Sequence, residues 1–63
     1  MTRQELLGKT IQARLAVHSC IGAIEDNPIY AKLYYRQGQN LREIYLQLLG
    51  TEGQITESIV KGE

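Results

Sequence analysis

The dipeptide Asn27-Pro28, near the middle of the chain, restricts the possible folds more than any other feature of the sequence. Proline lacks a backbone N–H and disfavours helical geometry at the residue before it. Asparagine is a good helix N-cap, and proline suits the first helical position. The dipeptide therefore predicts that one helix ends and a second begins here, with a turn at residues 26–27.

The first helix has a start signal of its own in Thr2 and Glu5, which have the spacing of a capping box. In that motif the hydroxyl accepts from the third helical N–H, and the carboxylate reaches back to the cap N–H. We therefore predict a helix over residues 3–25. Its apolar and small residues form two stripes at the three-and-four spacing of helical contacts. The first stripe contains Leu6, Thr10, Ala13, Val17, Cys20 and Ile24, and the second contains Leu7, Ile11, Leu15, His18 and Gly22.

Two stripes on one helix indicate two packing partners, because a single neighbouring helix covers one stripe. In a chain of 63 residues the most available second partner is another copy of the chain. We therefore expect self-association through the second stripe. Two copies packed in this way would form an antiparallel four-helix bundle.

The second helix is predicted over residues 28–49, and its helical period continues across Gly38. A glycine in a helix interior costs about 1 kcal/mol relative to alanine, so a break at Gly38 is the alternative. Gln37 lies near the middle of the apolar face of this helix and would need a hydrogen-bond partner if buried. In that case its amide would set the register of the helices. The predicted apolar face contains Tyr30, Leu33, Tyr34, Leu41, Ile44, Tyr45 and Leu48.

A further boundary is predicted at Gly50, which suits the position just past a helix end. Thr51 and Gln54 repeat the capping-box spacing, so residues 51–63 are predicted to form a short third helix or a tail. An edge strand in this segment would have no second strand with which to pair. The expected fold is all-α, with an antiparallel two-helix hairpin and a short C-terminal helix or tail in a single domain of residues 1–63.

Size and composition indicate how such a chain is stabilised. A chain of this length buries only about 60% of the surface that its unfolded form exposes. Its one cysteine, Cys20, cannot form an intramolecular disulfide, which leaves oligomerisation as the available means of extra stability. There is no apolar run of about 20 residues and no secretory signal, so we expect a cytoplasmic protein without a membrane partner.

Catalytic chemistry is not indicated by the residues present. His18 and Cys20 are two positions apart, and side chains with that spacing point in different directions on a helix. A zinc site needs more ligands than one chain offers, and the scattered carboxylates form no matched acid–base pair. We therefore expect no catalytic residues, no metal and no cofactor, and the chain is not predicted to be an enzyme.

The favoured function is a small non-enzymatic interaction or regulatory module, such as an adaptor, an inhibitor or an assembly subunit. Tyr35 and Leu46 are eleven residues apart and share the side of the second helix opposite its apolar face. Together with Arg42 they are the predicted binding site for a partner protein. In this interpretation the chain self-associates through the first helix and binds its partner with the second.

The alternative is an RNA- or nucleotide-binding dimer. Seven basic and seven acidic residues balance over the chain, yet residues 1–42 carry a net charge of +3 and residues 43–63 a net charge of −3. Cations in the first part would contact phosphates. The candidates are Arg3, Lys9, Arg14, Lys32, Arg36 and Arg42.

Overall fold

The computed structural model describes residues 1–62, which form three α-helices. Helix α1 covers Arg3–Glu25, α2 covers Pro28–Leu33 and α3 covers Tyr35–Lys61. Residues 1–62 contain no β-strand, so the predicted all-α class is confirmed. None of these helices has both the length and the apolar character needed to cross a membrane.

Local capping groups define both ends of α1 and the start of α2. The Thr2 hydroxyl accepts from the N–H of Glu5 at 3.1 Å, and it donates to the Glu5 carboxylate at 3.3 Å. At the other end, the N–H of Asp26 donates to the carbonyl of Gly22 at 2.9 Å. Asn27 has an extended backbone, and its side chain accepts from the N–H groups of the second and third residues of α2. The turn at residues 26–27 follows from these caps.

The helix predicted over residues 28–49 is in fact two helices, and the interruption lies at Tyr34 instead of Gly38. Tyr34 has φ −113° and ψ 30°, outside helical geometry. Its N–H donates to the carbonyl of Tyr30 at 2.8 Å, and its carbonyl accepts from the N–H of Gly38 at 2.9 Å. The N–H and the carbonyl of Tyr34 are therefore both paired at the interruption.

Gly50 does not end a helix, and the predicted short helix or tail over residues 51–63 belongs to α3 as far as Lys61. The Thr51 hydroxyl donates to the carbonyl of Gln47 at 2.9 Å, which is the bond of a helix-interior threonine and not of a cap. The helix ends at Gly62, where φ is 74° and the N–H donates to the carbonyl of Ile59. Glycine adopts this left-handed geometry at little cost. The last predicted position, 63, lies outside the described residues.

Helices α1 and α3 lie side by side and antiparallel in a molecule that measures 47 × 15 × 14 Å. Two ion pairs show this direction: Glu25 at the end of α1 pairs with Arg42 near the start of α3, and Arg14 pairs with Glu52. Most of the buried and half-buried residues of each long helix follow a three-and-four spacing. The row in α1 consists of Leu7, Thr10, Arg14, Val17, Ile21 and Ile24, and the row in α3 of Gly38, Leu41, Tyr45, Leu48, Glu52, Ile55 and Ile59; Ile11, Gly22 and Ser58 are half-buried beside these rows.

The row of α1 that contacts α3 therefore lies between the two predicted stripes. It includes Ile21, which belongs to neither stripe, whereas Leu6, Ala13 and Cys20 of the first stripe are exposed. Several residues assigned to the apolar face of the second helix are also exposed. They are Tyr30, Leu33, Tyr34 and Ile44. Gln37 is exposed as well, so no buried amide sets the register.

The physical reason for these differences is the position of α3 along α1. Because α2 takes up the first six residues after the turn, the first half of α1 packs against the part of α3 that was predicted to be a tail. The resulting core is small. Ile21 and Ile55, at 8% and 9% exposure, are the only buried apolar residues among positions 1–62.

Candidate interaction surfaces

A polar cluster lies within the contact between α1 and α3 and consists of Arg14, His18, Tyr45 and Glu52. Arg14 Nε donates to Glu52 Oε2, and the two side chains are only 21% and 14% exposed. The guanidinium carbon lies 6.0 Å from the centre of the Tyr45 ring, and the His18 ring centre lies 5.6 Å from that of Tyr45. The hydrogen bond to Glu52 raises the pKa of Arg14 above its usual value. An arginine is charged at every physiological pH even without this shift, so Arg14 is suited to positioning, not to proton transfer.

The Arg14–Glu52 pair can set the register of the two long helices. If α3 slid by one seven-residue repeat, Arg14 would face Tyr45 or Ile59 and lose its carboxylate partner. A partly buried charge without a partner is costly, so such a shift is disfavoured. Gln37 was expected to set the register only if it were buried, and it is exposed. The sequence signal for the Arg14–Glu52 pair is one charge of each sign in two otherwise apolar rows.

We expect Glu52→Leu to lower the melting temperature, because it leaves the Arg14 guanidinium partly buried without an anion. The double variant Arg14→Met with Glu52→Leu should recover the lost stability, since both charges are then replaced by apolar groups. Circular dichroism melts at one protein concentration measure the effect. Glu57→Gln is the control, because it removes an exposed ion pair with Lys61 at 2.6 Å and should change the melting temperature little. A Glu52→Leu variant as stable as the parent would contradict this role.

One groove joins the residues predicted for self-association to those predicted for partner binding. It has a volume of about 430 Å³, and His18 and Gly22 line it from α1 while Arg42 and Leu46 line it from α3. The sequence alone predicts different surfaces for these two sets of residues. They adjoin because α3 lies next to the side of α1 that carries the second stripe.

We use the term shared apolar face for the surface that extends from this groove along both long helices. On α1 the four-three-four spacing continues it from Gly22 through His18 and Leu15 to Ile11, and the half-buried Leu7 lies at its far end. The residues of the shared apolar face are Ile11, Leu15, His18 and Gly22 of α1 and Leu46, Leu49 and Val60 of α3. None of them is an acidic or basic residue apart from the single histidine, although the Glu25–Arg42 ion pair lines the groove at one end of the face.

The shared apolar face is open to solvent in the single chain. Leu15 is 54% exposed and Leu46 is 64% exposed, and Leu49 and Val60 are exposed as well. Contiguous apolar surface of this kind usually marks a contact with another molecule. The contribution of α1 to this surface was predicted from the sequence, whereas Leu49 and Val60 were not part of the prediction.

A second apolar surface lies at the end of the molecule formed by α2, which buries none of its residues. Ile29 and Leu33 are 68% and 65% exposed, and with Pro28 and Lys32 they line an open depression of about 540 Å³. We call this surface the α2 patch. Its members are the exposed residues Ile29, Tyr30, Leu33, Tyr34 and Tyr35, of which Tyr34 and Tyr35 line a neighbouring depression of about 310 Å³ with Glu25 and Arg42. Tyr30, Leu33 and Tyr34 were predicted to lie on the apolar face of the second helix, and only Tyr35 was predicted to lie on a contact surface.

The six candidate phosphate-binding cations do not form one surface. Arg14 and Arg42 are held by Glu52 and Glu25. Arg3 lines a depression with the last turns of α3, whereas Lys32 lines the depression beside α2 at the other end. Lys9 and Arg36 are exposed. The charge asymmetry along the sequence is not preserved in space, because the basic first part of the chain lies antiparallel against the acidic second part.

His18 and Cys20 are directed to different surroundings. His18 packs against the Tyr45 ring beside the groove, whereas Cys20 is exposed on another side of α1. Within residues 1–62, no three His, Cys, Asp or Glu side chains are close enough to hold a metal ion together.

No family model, no curated protein and no solved structure matches this chain. The functional proposal therefore rests on the two apolar surfaces and the polar cluster.

Proposed function

We propose that the chain is a small non-enzymatic protein-interaction or regulatory module that self-associates and binds a partner protein. An adaptor, an inhibitor or an assembly subunit would have these properties. The observation that carries the proposal is the amount of uncovered apolar surface on a single chain, most of all on the shared apolar face.

The accessible surface area of the single chain supports the proposal that a partner covers part of it. It amounts to 4851 Å², whereas a folded monomer of 7.1 kDa typically exposes about 4,100 Å². The excess, about 750 Å², is close to the roughly 800 Å² that each partner buries in a standard protein interface. One long side of the molecule, 47 Å by 15 Å, offers an area of this size. Covering one such side with a partner would therefore remove about as much accessible surface area as the excess.

A second copy of the chain is the proposed cover of the shared apolar face. Two such faces packed against each other place four helices around one core, in the manner of an antiparallel four-helix bundle. The contact is isologous, which means that both copies use the same surface. Each exposed leucine of the face is therefore buried in both copies. Full burial of a leucine side chain contributes about 1.5–3 kcal/mol. Because α3 supplies Leu46 and Leu49, self-association uses both long helices and not α1 alone.

This arrangement changes where the partner protein would bind. Leu46 and Arg42 line the groove of the shared apolar face and are covered when two copies associate. Tyr35, the third residue predicted for partner binding, belongs to the α2 patch at the end of the molecule. Partner binding is therefore proposed to occur at that end.

Concentration-dependent measurements test self-association. We expect sedimentation equilibrium to report a dimer at micromolar concentration, and we expect the melting temperature to rise with protein concentration by mass action. A monomer whose melting temperature is the same over a hundredfold range of concentration would contradict the proposal.

The RNA- or nucleotide-binding alternative has weaker support. Two of its six cations are engaged in ion pairs, and the others are distributed between the two ends of the molecule. Phosphate binding gains affinity from several neighbouring cations that release counterions together. Dispersed charges provide little of that gain.

A further inference from the structure

The α2 patch has a fixed backbone, which distinguishes it from an ordinary exposed loop. The side chain of Asn27 accepts from the N–H groups of Ile29 and Tyr30 at 3.0 and 3.2 Å, and the N–H of Ala31 donates to the carbonyl of Asn27 at 2.8 Å. Pro28 further restricts the first helical position. A surface held in this way loses little conformational entropy when it binds.

The stretch of chain that forms the α2 patch carries charges of one sign, and the acidic Glu25 and Asp26 come just before it. Residues 27–41 contain Lys32 and Arg36 and no acidic residue. Within residues 1–62 neither of these two cations takes part in an ion pair, whereas the neighbouring Glu25 is already paired with Arg42. Lys32 lies directly beside the apolar depression. The patch therefore combines exposed apolar side chains with two available positive charges.

We propose that the α2 patch binds a short acidic segment of a partner protein, with apolar residues of that segment in the depression beside Ile29 and Leu33. This inference deepens the partner-binding part of the proposed function and rests on it. Carboxylates flanking the apolar residues would contact Lys32 and Arg36. The three exposed tyrosines suit such a contact, because tyrosine and arginine are enriched in protein interfaces.

Two observations favour a peptide segment over other partners. A six-residue helix is about 9 Å long, so its surface matches a few residues and not the face of a folded domain. An anionic membrane surface usually attracts clusters of about four to eight Lys or Arg residues. The α2 patch offers two, with Asp26 exposed beside them.

Two labelled peptides test the proposal with the full chain. Both are 14-residue helical peptides with leucine at the same positions, and their polar positions hold glutamate in one and lysine in the other. Fluorescence anisotropy should show that the glutamate peptide binds at least about tenfold more tightly. Lys32→Glu with Arg36→Glu should reverse this preference, and Leu33→Ala should weaken binding of the glutamate peptide. Arg3→Glu with Lys9→Glu makes the same change in net charge at the other end and should leave the preference intact.

Several results would overturn the proposal. They are equal binding of the two peptides, no binding of the glutamate peptide at about 1 mM, or an unchanged preference in the Lys32→Glu and Arg36→Glu variant. Co-sedimentation with phosphatidylserine–phosphatidylcholine vesicles that is lost in this variant, without peptide binding, would assign the patch to a membrane surface.

Leu15→Glu, which is designed to prevent self-association, should still bind the glutamate peptide. A failure of self-association is thus separated from a failure at the α2 patch.

Discussion

Leu15→Glu and Leu46→Glu are each expected to convert the self-associated protein into a monomer that keeps its helical circular dichroism. Both side chains are more than half exposed in the single chain, so the substitutions remove no buried group from it. In the proposed dimer each would bury two carboxylates, and Arg42, which lines the groove with Leu46, is already paired with Glu25, so the cost is several kcal/mol. Sedimentation equilibrium at about 50 µM would measure the change as loss of the dimer.

The control for this experiment is Leu6→Glu. Leu6 is 43% exposed, close to the value for Leu15, but it precedes Leu15 by nine residues and therefore lies half a turn away around α1. It lines a different depression, together with Arg3 and Ile55. Leu6→Glu should leave the dimer intact.

The pattern of results identifies the interface. Loss of the dimer in Leu15→Glu but not in Leu46→Glu would restrict self-association to α1, which is the arrangement first inferred from the stripes. Loss in Leu6→Glu alone would move the interface to the opposite side of the molecule. Either result would contradict the shared apolar face.

The parts of the fold that were predictable from the sequence depend on neighbouring residues. The cap at Thr2 and the Asn27-Pro28 boundary involve hydrogen bonds over two or three positions, so their residue types alone identify them. The interruption at Tyr34 and the continuation of α3 through Gly50 depend on packing between distant segments. Contacts of Leu48, Glu52 and Ile55 with α1 outweigh the local preference of Gly50 to end a helix, as tertiary packing often does.

The candidate surfaces also have one part that local sequence predicts and one part that depends on packing between distant segments. The side of α1 that carries Leu15, His18 and Gly22 was visible as a stripe, because helical periodicity is a local property. Its junction with Leu46 was not, since it depends on the register in which α3 lies against α1. That register is associated with Arg14 and Glu52, 38 residues apart, whose pairing no local pattern indicates.

Ile21→Ala is expected to lower stability more than truncation of any exposed apolar residue. Ile21 and Ile55 form the buried part of the core, and truncation of a buried isoleucine to alanine typically costs about 2–5 kcal/mol. A domain of this size is commonly stable by only about 3–9 kcal/mol in total. We therefore expect a fall in melting temperature of roughly 10–30 °C, measured by circular dichroism at fixed concentration.

Two further variants show whether this loss comes from the core between α1 and α3 or from self-association. Ile21 also lines the groove of the shared apolar face, whereas Ile55 lines the depression on the other side. If the core is responsible, Ile55→Ala should destabilise the protein about as much as Ile21→Ala does. Ile29→Ala, at a position 68% exposed, should change the free energy of unfolding by no more than about 0.5 kcal/mol. A large effect of Ile21→Ala beside a small effect of Ile55→Ala would mean that Ile21 acts mainly in the contact between copies, and the core assigned to the single chain would be wrong.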